Sequence, residues 1–163
     1  MRITNVAEPM TLRIYSSNVY LIRGDWNTLE DVNTLIDVGN DPAIIERIRI
    51  LATGVGKKAV DQVILTHKHS DHAGLLPLIR EEFQPVVYAY SPSVGADYVL
   101  NDGQKLRCGD RVLEVIYMSE HSDDSICLYG EEEGVLFAGD ALMAVLSGSG
   151  SYEERFVQAL ERL

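Results

Sequence analysis

Three of the four histidines in this 163-residue chain fall within six positions, in the segment Thr66-His67-Lys68-His69-Ser70-Asp71-His72-Ala73-Gly74. The segment follows a short apolar run, Val60 to Leu65, and precedes a stretch with helical spacing from Leu75 to Phe83. A strand that ends in such a loop must bury its own residues while presenting the loop at a sheet edge. In extended backbone, residues two apart project to the same side, so His67 and His69 converge on one point. Once the chain turns, Asp71 and His72 face the other side of the loop, toward a second point. Neutral imidazoles together with a carboxylate are a ligand set for cations such as Zn²⁺, Fe²⁺ or Mn²⁺. A polar loop of solvated histidines is the alternative, and the HxHxDH grouping at a strand end argues against it.

Two residues elsewhere complete this picture. His121 follows the strand-like run Val112 to Tyr117, in the turn Ser119-Glu120-His121-Ser122-Asp123-Asp124. Alone it reads as a surface histidine; beside a two-histidine site it is the third imidazole that a closed ligand set needs. Asp140 ends the apolar run Val135-Leu136-Phe137-Ala138-Gly139. An isolated aspartate there is usually a helix cap, but its two oxygens can also serve two cations.

The rest of the chain reads as mixed α/β with strands in runs and a few covering helices. Strands are expected at Leu12 to Tyr15, Asn18 to Arg23, Val32 to Val38, Val60 to Leu65 and Val86 to Tyr90. Lys105-Leu106 and Val112 to Tyr117 pair around the turn Cys108-Gly109-Asp110. Ser125 to Tyr129 and Val135 to Ala138 form another hairpin across Gly130 and the acidic run Glu131 to Glu133. Asp41-Pro42 starts a helix that carries Ile44, Ile45, Ile48 and Leu51 toward Gly54. Pro77 is tolerable in the Leu75 to Phe83 helix because it lies in the first turn. Ser91-Pro92 opens a short helix or loop. Gly148-Ser149-Gly150 is a flexible break before an amphipathic stretch, Glu153 to Leu163, with Phe156, Val157 and Leu160 on one face.

Composition narrows the functions. Lys and Arg number 14 against 25 Asp and Glu, a formal net charge of −11. That balance repels phosphate backbones, and with no basic patch beyond Lys57-Lys58 no nucleic-acid partner is expected. No apolar run approaches the roughly 20 residues of a membrane span, and Met1 to Met10 has no apolar leader core, so a soluble cytoplasmic domain over residues 1–163 is expected. Cys108 and Cys127 are too few and too distant for a disulfide framework or a CxxC motif and read as reduced thiols in strands.

On the motif Thr66-HxHxDH-Ala73-Gly74, then His121, then Phe137-Ala138-Gly139-Asp140, the chain resembles the metallo-β-lactamase-fold hydrolases, within them the glyoxalase II-like branch. Leu35-Ile36-Asp37-Val38-Gly39 is similar to that family's early Asp-Gly turn. The resemblance runs from about residue 11 to Asp140. It implies a four-layer αββα sandwich with the site at one edge of two sheets. It also implies that His67, His69 and His121 hold a first metal, that Asp71 and His72 belong to a second, and that Asp140 bridges. Asp37 is carried over as a partner that supports a ligand, with a purely structural hydrogen bond as the equal alternative.

The chain departs from the family pattern in two places. No histidine follows His121, where the family carries a further one, and the sequence stops at Leu163, so the C-terminal part of the sandwich is expected to be incomplete. Around His121 the family's Pro-Gly-His-Thr/Ser-Pro-Gly-Ser turn is replaced by Ser119-Glu120-His121-Ser122-Asp123-Asp124-Ser125, where acids take the place of rigid turn residues. The expected activity is hydrolysis of a small-molecule ester, thioester, lactone or amide by hydroxide on one or two zinc ions, with Asp71 orienting it. One rival is a mononuclear iron oxidoreductase of the persulfide dioxygenase type, built on His67, His121 and Asp140. The other is a truncated domain without activity, whose exposed apolar surface predicts aggregation or a homodimer.

Overall fold

A computed structural model of the chain describes residues 1–7, 16–51, 56–142 and 154–163. Among the described residues, ten strands form two sheets. The first contains β1 (Arg2–Asn5), β2 (Tyr20–Arg23), β3 (Thr34–Ile36), β4 (Gln62–Ile64), β5 (Val86–Ala89) and β6 (Tyr98–Val99), side by side in chain order. The β1, β2 and β3 strands pair antiparallel, and β3 through β6 pair parallel. The second sheet is an antiparallel meander of β7 (Lys105–Cys108), β8 (Arg111–Tyr117), β9 (Ile126–Gly130) and β10 (Val135–Phe137).

Alternation along the strands decides how the layers stack. Adjacent residues point to opposite faces of a sheet. Leu21, Leu35, Val63 and Val87 therefore face one way and pack against Ile44 and Ile48 of α1 (Ala43–Ile50) and Ile79 of α3 (Leu76–Phe83). Their neighbours Ile22, Ile36 and Ile64 face the other way and meet Leu113, Val115, Ile126, Leu128 and Phe137 of the second sheet. Both faces of the central parallel strands are thus covered, which is why β3 and β4 are buried at every position. A smaller cluster of Met118, Cys127 and Ala141 lies apart from both.

The helices start where expected. Asp41 Oδ1 accepts a hydrogen bond from Ala43 N at 3.0 Å and so opens α1, while Pro77 sits in the first turn of α3. Cys108 and Cys127 are buried free thiols. The α4 helix spans Glu154–Arg162 and leaves Val157 and Leu160 exposed.

Three short elements escape the sequence reading: β1, the two-residue β6, and α2 (Ser70–Ala73) inside the histidine loop. None carries an apolar run. The β1 strand holds its place through pairing with β2, and α2 is a single turn in which His69 O accepts from His72 N and Ala73 N at 3.0 and 2.9 Å. The strand expected over residues 12–15, the helix end at Gly54, the break at residues 148–150 and the side chain of Phe156 lie outside the described residues.

Candidate metal centre

Four strand ends meet at one edge of the sandwich. The β3 strand runs into Asp37, β4 into Thr66 and His67, β8 toward His121, and β10 toward Asp140. The crevice beyond the carboxyl ends of parallel strands is where such folds collect polar groups. Here Ile126 N donates to Thr66 O at 2.9 Å and ties the second sheet to the first at that edge.

Asp37 braces the centre from below. Its backbone takes a left-handed φ of 58°, a conformation that Asp tolerates better than most residues. Thr66 donates its N–H to Asp37 Oδ1 at 2.8 Å and its hydroxyl to Oδ2 at 2.8 Å. His72 Nδ1 lies 2.7 Å from Asp37 Oδ2. Gly139, at φ 50°, lets the end of β10 pass over Thr66; a Cβ there would meet Thr66 Oγ1 at 2.7 Å and Thr66 Cβ at 2.9 Å.

The imidazoles crowd one another. His67 Nε2 is 3.1 Å from His69 Nδ1, and His121 Nε2 is 3.0 Å from the same atom. One ring nitrogen cannot satisfy both neighbours as hydrogen-bond partner while all three rings are neutral and each ring has one proton to give. The spacing instead approaches the roughly 3.4 Å that separates ligand atoms in a tetrahedron with Zn–N bonds of about 2.0–2.1 Å. Burial, joined by the neighbouring positive charges of His72, His121 and His69, pushes His67 down to about 3, so this ring stays neutral and keeps a lone pair to offer. Burial also lowers His121.

On the opposite side, His72 carries the most telling atom. A carboxylate accepts and does not donate, so the Asp37 contact fixes the proton on His72 Nδ1. Nε2 is then left buried without a hydrogen bond, facing Asp140 Oδ1 at 3.2 Å and Asp71 Oδ2 at 3.6 Å. A lone pair aimed at two carboxylates demands a positive charge between them, either a second proton or a cation. Burial by itself would lower His72, but the Asp37 hydrogen bond and the charges of Asp37, Asp140 and Asp71 outweigh it and raise it above the ordinary histidine value.

Donor atoms within 4.8 Å of one another form two groups among the described residues, His67–His69–His121 and His67–His72–Asp140. His67 belongs to both. Asp140 spans them, with Oδ1 toward His72 and Oδ2 3.7 Å from His121 Nε2. All seven residues singled out in the sequence therefore meet at this edge. One that was not, Thr66, belongs with them. The oxygen of Thr66 touches Asp37 and both adjacent histidine rings, and its place directly before the motif was the available signal. A cavity of about 860 Å³ opens beside Asp71, His72 and Asp140 and is walled by residues of both sheets, among them Tyr20, Ile36, Leu136 and Phe137.

A family model described as metallo-beta-lactamase superfamily matches residues 12–97 and 89–160. The chain belongs to the metallo-beta-lactamase superfamily. It is 35% identical over 89 residues to a hydroxyacylglutathione hydrolase of Francisella tularensis subsp. tularensis, covering 53% of this chain and 35% of the relative. It is 29% identical over 154 residues to the atrochrysone carboxyl ACP thioesterase of Aspergillus fumigatus, covering 85% of this chain and 35% of that one. The chain thus spans about a third of the length of these two superfamily relatives. Among solved structures, ETHE1 from Myxococcus xanthus superposes with a TM-score of 0.72 at 23% identity, covering all of this chain and 69% of that one. The α/β fold is the fold of the superfamily. No helix among the described residues is long and apolar enough to cross a membrane.

Proposed function

We propose that the chain is a metal-dependent hydrolase that cleaves a small-molecule ester, thioester, lactone or amide. The observation that carries this reading is the sharing of His67 between two groups of donor atoms, one of imidazoles and one completed by a carboxylate. His67, His69 and His121 would hold one cation; Asp71, His72 and Asp140 would face a second, with Asp140 reaching both. Zinc suits the imidazole-rich group, and manganese or iron suits the carboxylate side. When bound, such a cation lowers the pKa of a water from about 15.7 to about 7 and polarises a carbonyl oxygen.

The chain's own residues supply the rest. Asp37 fixes the His72 tautomer, so that Nε2 presents its lone pair. Thr66 holds Asp37 in turn, and the buried His67 remains neutral at working pH. Asp71, which lines the cavity, would accept a proton from an attacking water and orient it. The cavity beside it takes the substrate, with Tyr20 and Phe137 packed edge to face at 5.3 Å in its wall.

The names of the two relatives, a hydroxyacylglutathione hydrolase and an acyl-carrier thioesterase, support a thioester as the first substrate to try. The iron oxidoreductase reading needs His67, His121 and Asp140 as one triad. Hydrolysis is preferred because the donor atoms fall into two groups that share His67, more than a single triad requires.

The test is thioester and ester hydrolysis by purified protein before and after chelator treatment. Loss of activity on chelation and its return with zinc or manganese are expected. A fully active metal-free preparation, or one that consumes dioxygen with iron and cleaves no ester or thioester, would overturn the reading.

A further inference from the structure

Lys68 stands between His67 and His69, and alternation along extended backbone sends its side chain away from theirs. Its ammonium reaches the loop that carries His121. It pairs there with the exposed Asp123, and it lies 3.9 Å from Oδ1 of the buried Asp124. The loop has few other ties. Ser122 Oγ donates to Asp124 Oδ1 at 2.6 Å, Tyr117 Oη donates to Asp123 O at 3.0 Å, and Met118 N and Ser125 N close it onto Ser125 O and Ser122 O. His121 itself meets the His67–His69 loop through ring contacts alone, edge-on to His67 and to His69 with centroids 4.9 Å apart in each case and with Nε2 3.0 Å from His69 Nδ1.

We propose that Lys68, with Asp123 and Asp124, is a positioning clamp that holds the His121 loop against the His67–His69 loop and so sets the third imidazole of the first donor group. The acids in this turn, which stand where rigid turn residues were expected, thereby acquire a task. Rigidity that proline and glycine would build into the turn comes instead from a charge across to the motif. A pair this exposed adds little to global stability, which separates positioning from folding. The inference rests on the metal reading above for its consequence, though not for the contact itself.

The experiment compares wild type, Lys68→Ala, Lys68→Arg, Asp123→Ala and the double alanine variant. Zinc affinity is read by chelator competition, and amide exchange at Met118 and Ser125 is read in the metal-free protein. Loss of a group that orients a ligand typically weakens metal binding by about 10- to 100-fold. The lower end is expected for Lys68→Ala and for Asp123→Ala, with the double variant no weaker than either single. Lys68→Arg should restore both affinity and amide protection, because an arginine carries the charge across the same gap. Denaturant midpoints of the metal-free proteins should coincide. Equal zinc affinity and equal exchange in wild type and Lys68→Ala would overturn the clamp, as would a Lys68→Arg variant as weak as the alanine. A wild type that takes up no zinc would overturn the metal reading instead, and the exchange rates would still decide whether Lys68 holds the loop.

Discussion

The two sides of the centre are built by opposite means. His72 is buried, and its ring is pinned by Asp37, which Thr66 holds through backbone and hydroxyl. His121 is partly exposed on a loop, and that loop is tied to the His67–His69 segment by an ion pair at the surface. One side is rigid because its polar atoms have nowhere else to go; the other is held by contacts that water and salt can compete for. A site divided in this way keeps a fixed floor beside the cavity and an adjustable ligand above it. Damage on the His72 side should therefore appear as lost stability, and damage on the His121 side as lost metal.

The largest expected effect comes from Asp37→Ala. Two donors on Thr66 and one on His72 lose their acceptor in a buried place, and each such orphan costs about 1–3 kcal/mol. Denaturant unfolding should show a loss of about 3–5 kcal/mol; a loss below about 1 kcal/mol would mean that the floor is not rigid. Next is Gly139→Ala, in which a Cβ meets Thr66 at 2.7 Å in a left-handed conformation. Strain of this kind costs on the order of 1–3 kcal/mol in the same measurement, and a neutral result would show that β10 ends elsewhere.

His121→Ala should reverse the pattern. Its stability change should stay within about 0.5 kcal/mol, as for a surface substitution, while zinc affinity falls. An equal loss of stability from His121→Ala and Asp37→Ala would erase the contrast between the two sides.

The mildest test is titration of the metal-free protein, followed by NMR of the imidazole rings. His72 should protonate first on acidification, above the ordinary histidine value, because the carboxylates around it outweigh its burial. His67 should stay neutral down toward a pH of about 3. The stability signs follow. The unfolded chain binds the His67 proton in the window from about 6.5 down to about 3, so this group costs stability as pH falls through that window. His72 works the other way: its contribution is complete below about 6.5 and fades as pH rises through its raised folded value. Reversed protonation order would mean that the Asp37 brace is absent in solution.

Much of this was legible before any coordinates. The HxHxDH segment marked its own place because a strand end and an i, i+2 spacing suffice to aim two imidazoles at one point. His121 and Asp140 stood out because each comes soon after a strand-like apolar run, whereas Asp37 was singled out only by the resemblance of Leu35-Ile36-Asp37-Val38-Gly39 to the family's early Asp-Gly turn. The sequence could not reveal how these residues brace one another. Thr66 looks like any threonine until its hydroxyl is seen among Asp37, His67 and His72. The acids at residues 123 and 124 read only as replacements for rigid turn residues, because their partner Lys68 lies 55 residues away from Asp123. The β1 strand and the α2 turn were missed since pairing and backbone hydrogen bonds, not apolar pattern, hold them.

The most direct test of the central claim is the metal content of protein purified without added metal, measured by elemental analysis in wild type and in His67→Ala. His67 belongs to both donor groups, so its loss should empty both. The account predicts at least one zinc, manganese or iron per wild-type chain and none above background in the variant. Wild-type protein free of metal, or a variant that retains the wild-type content, would contradict it.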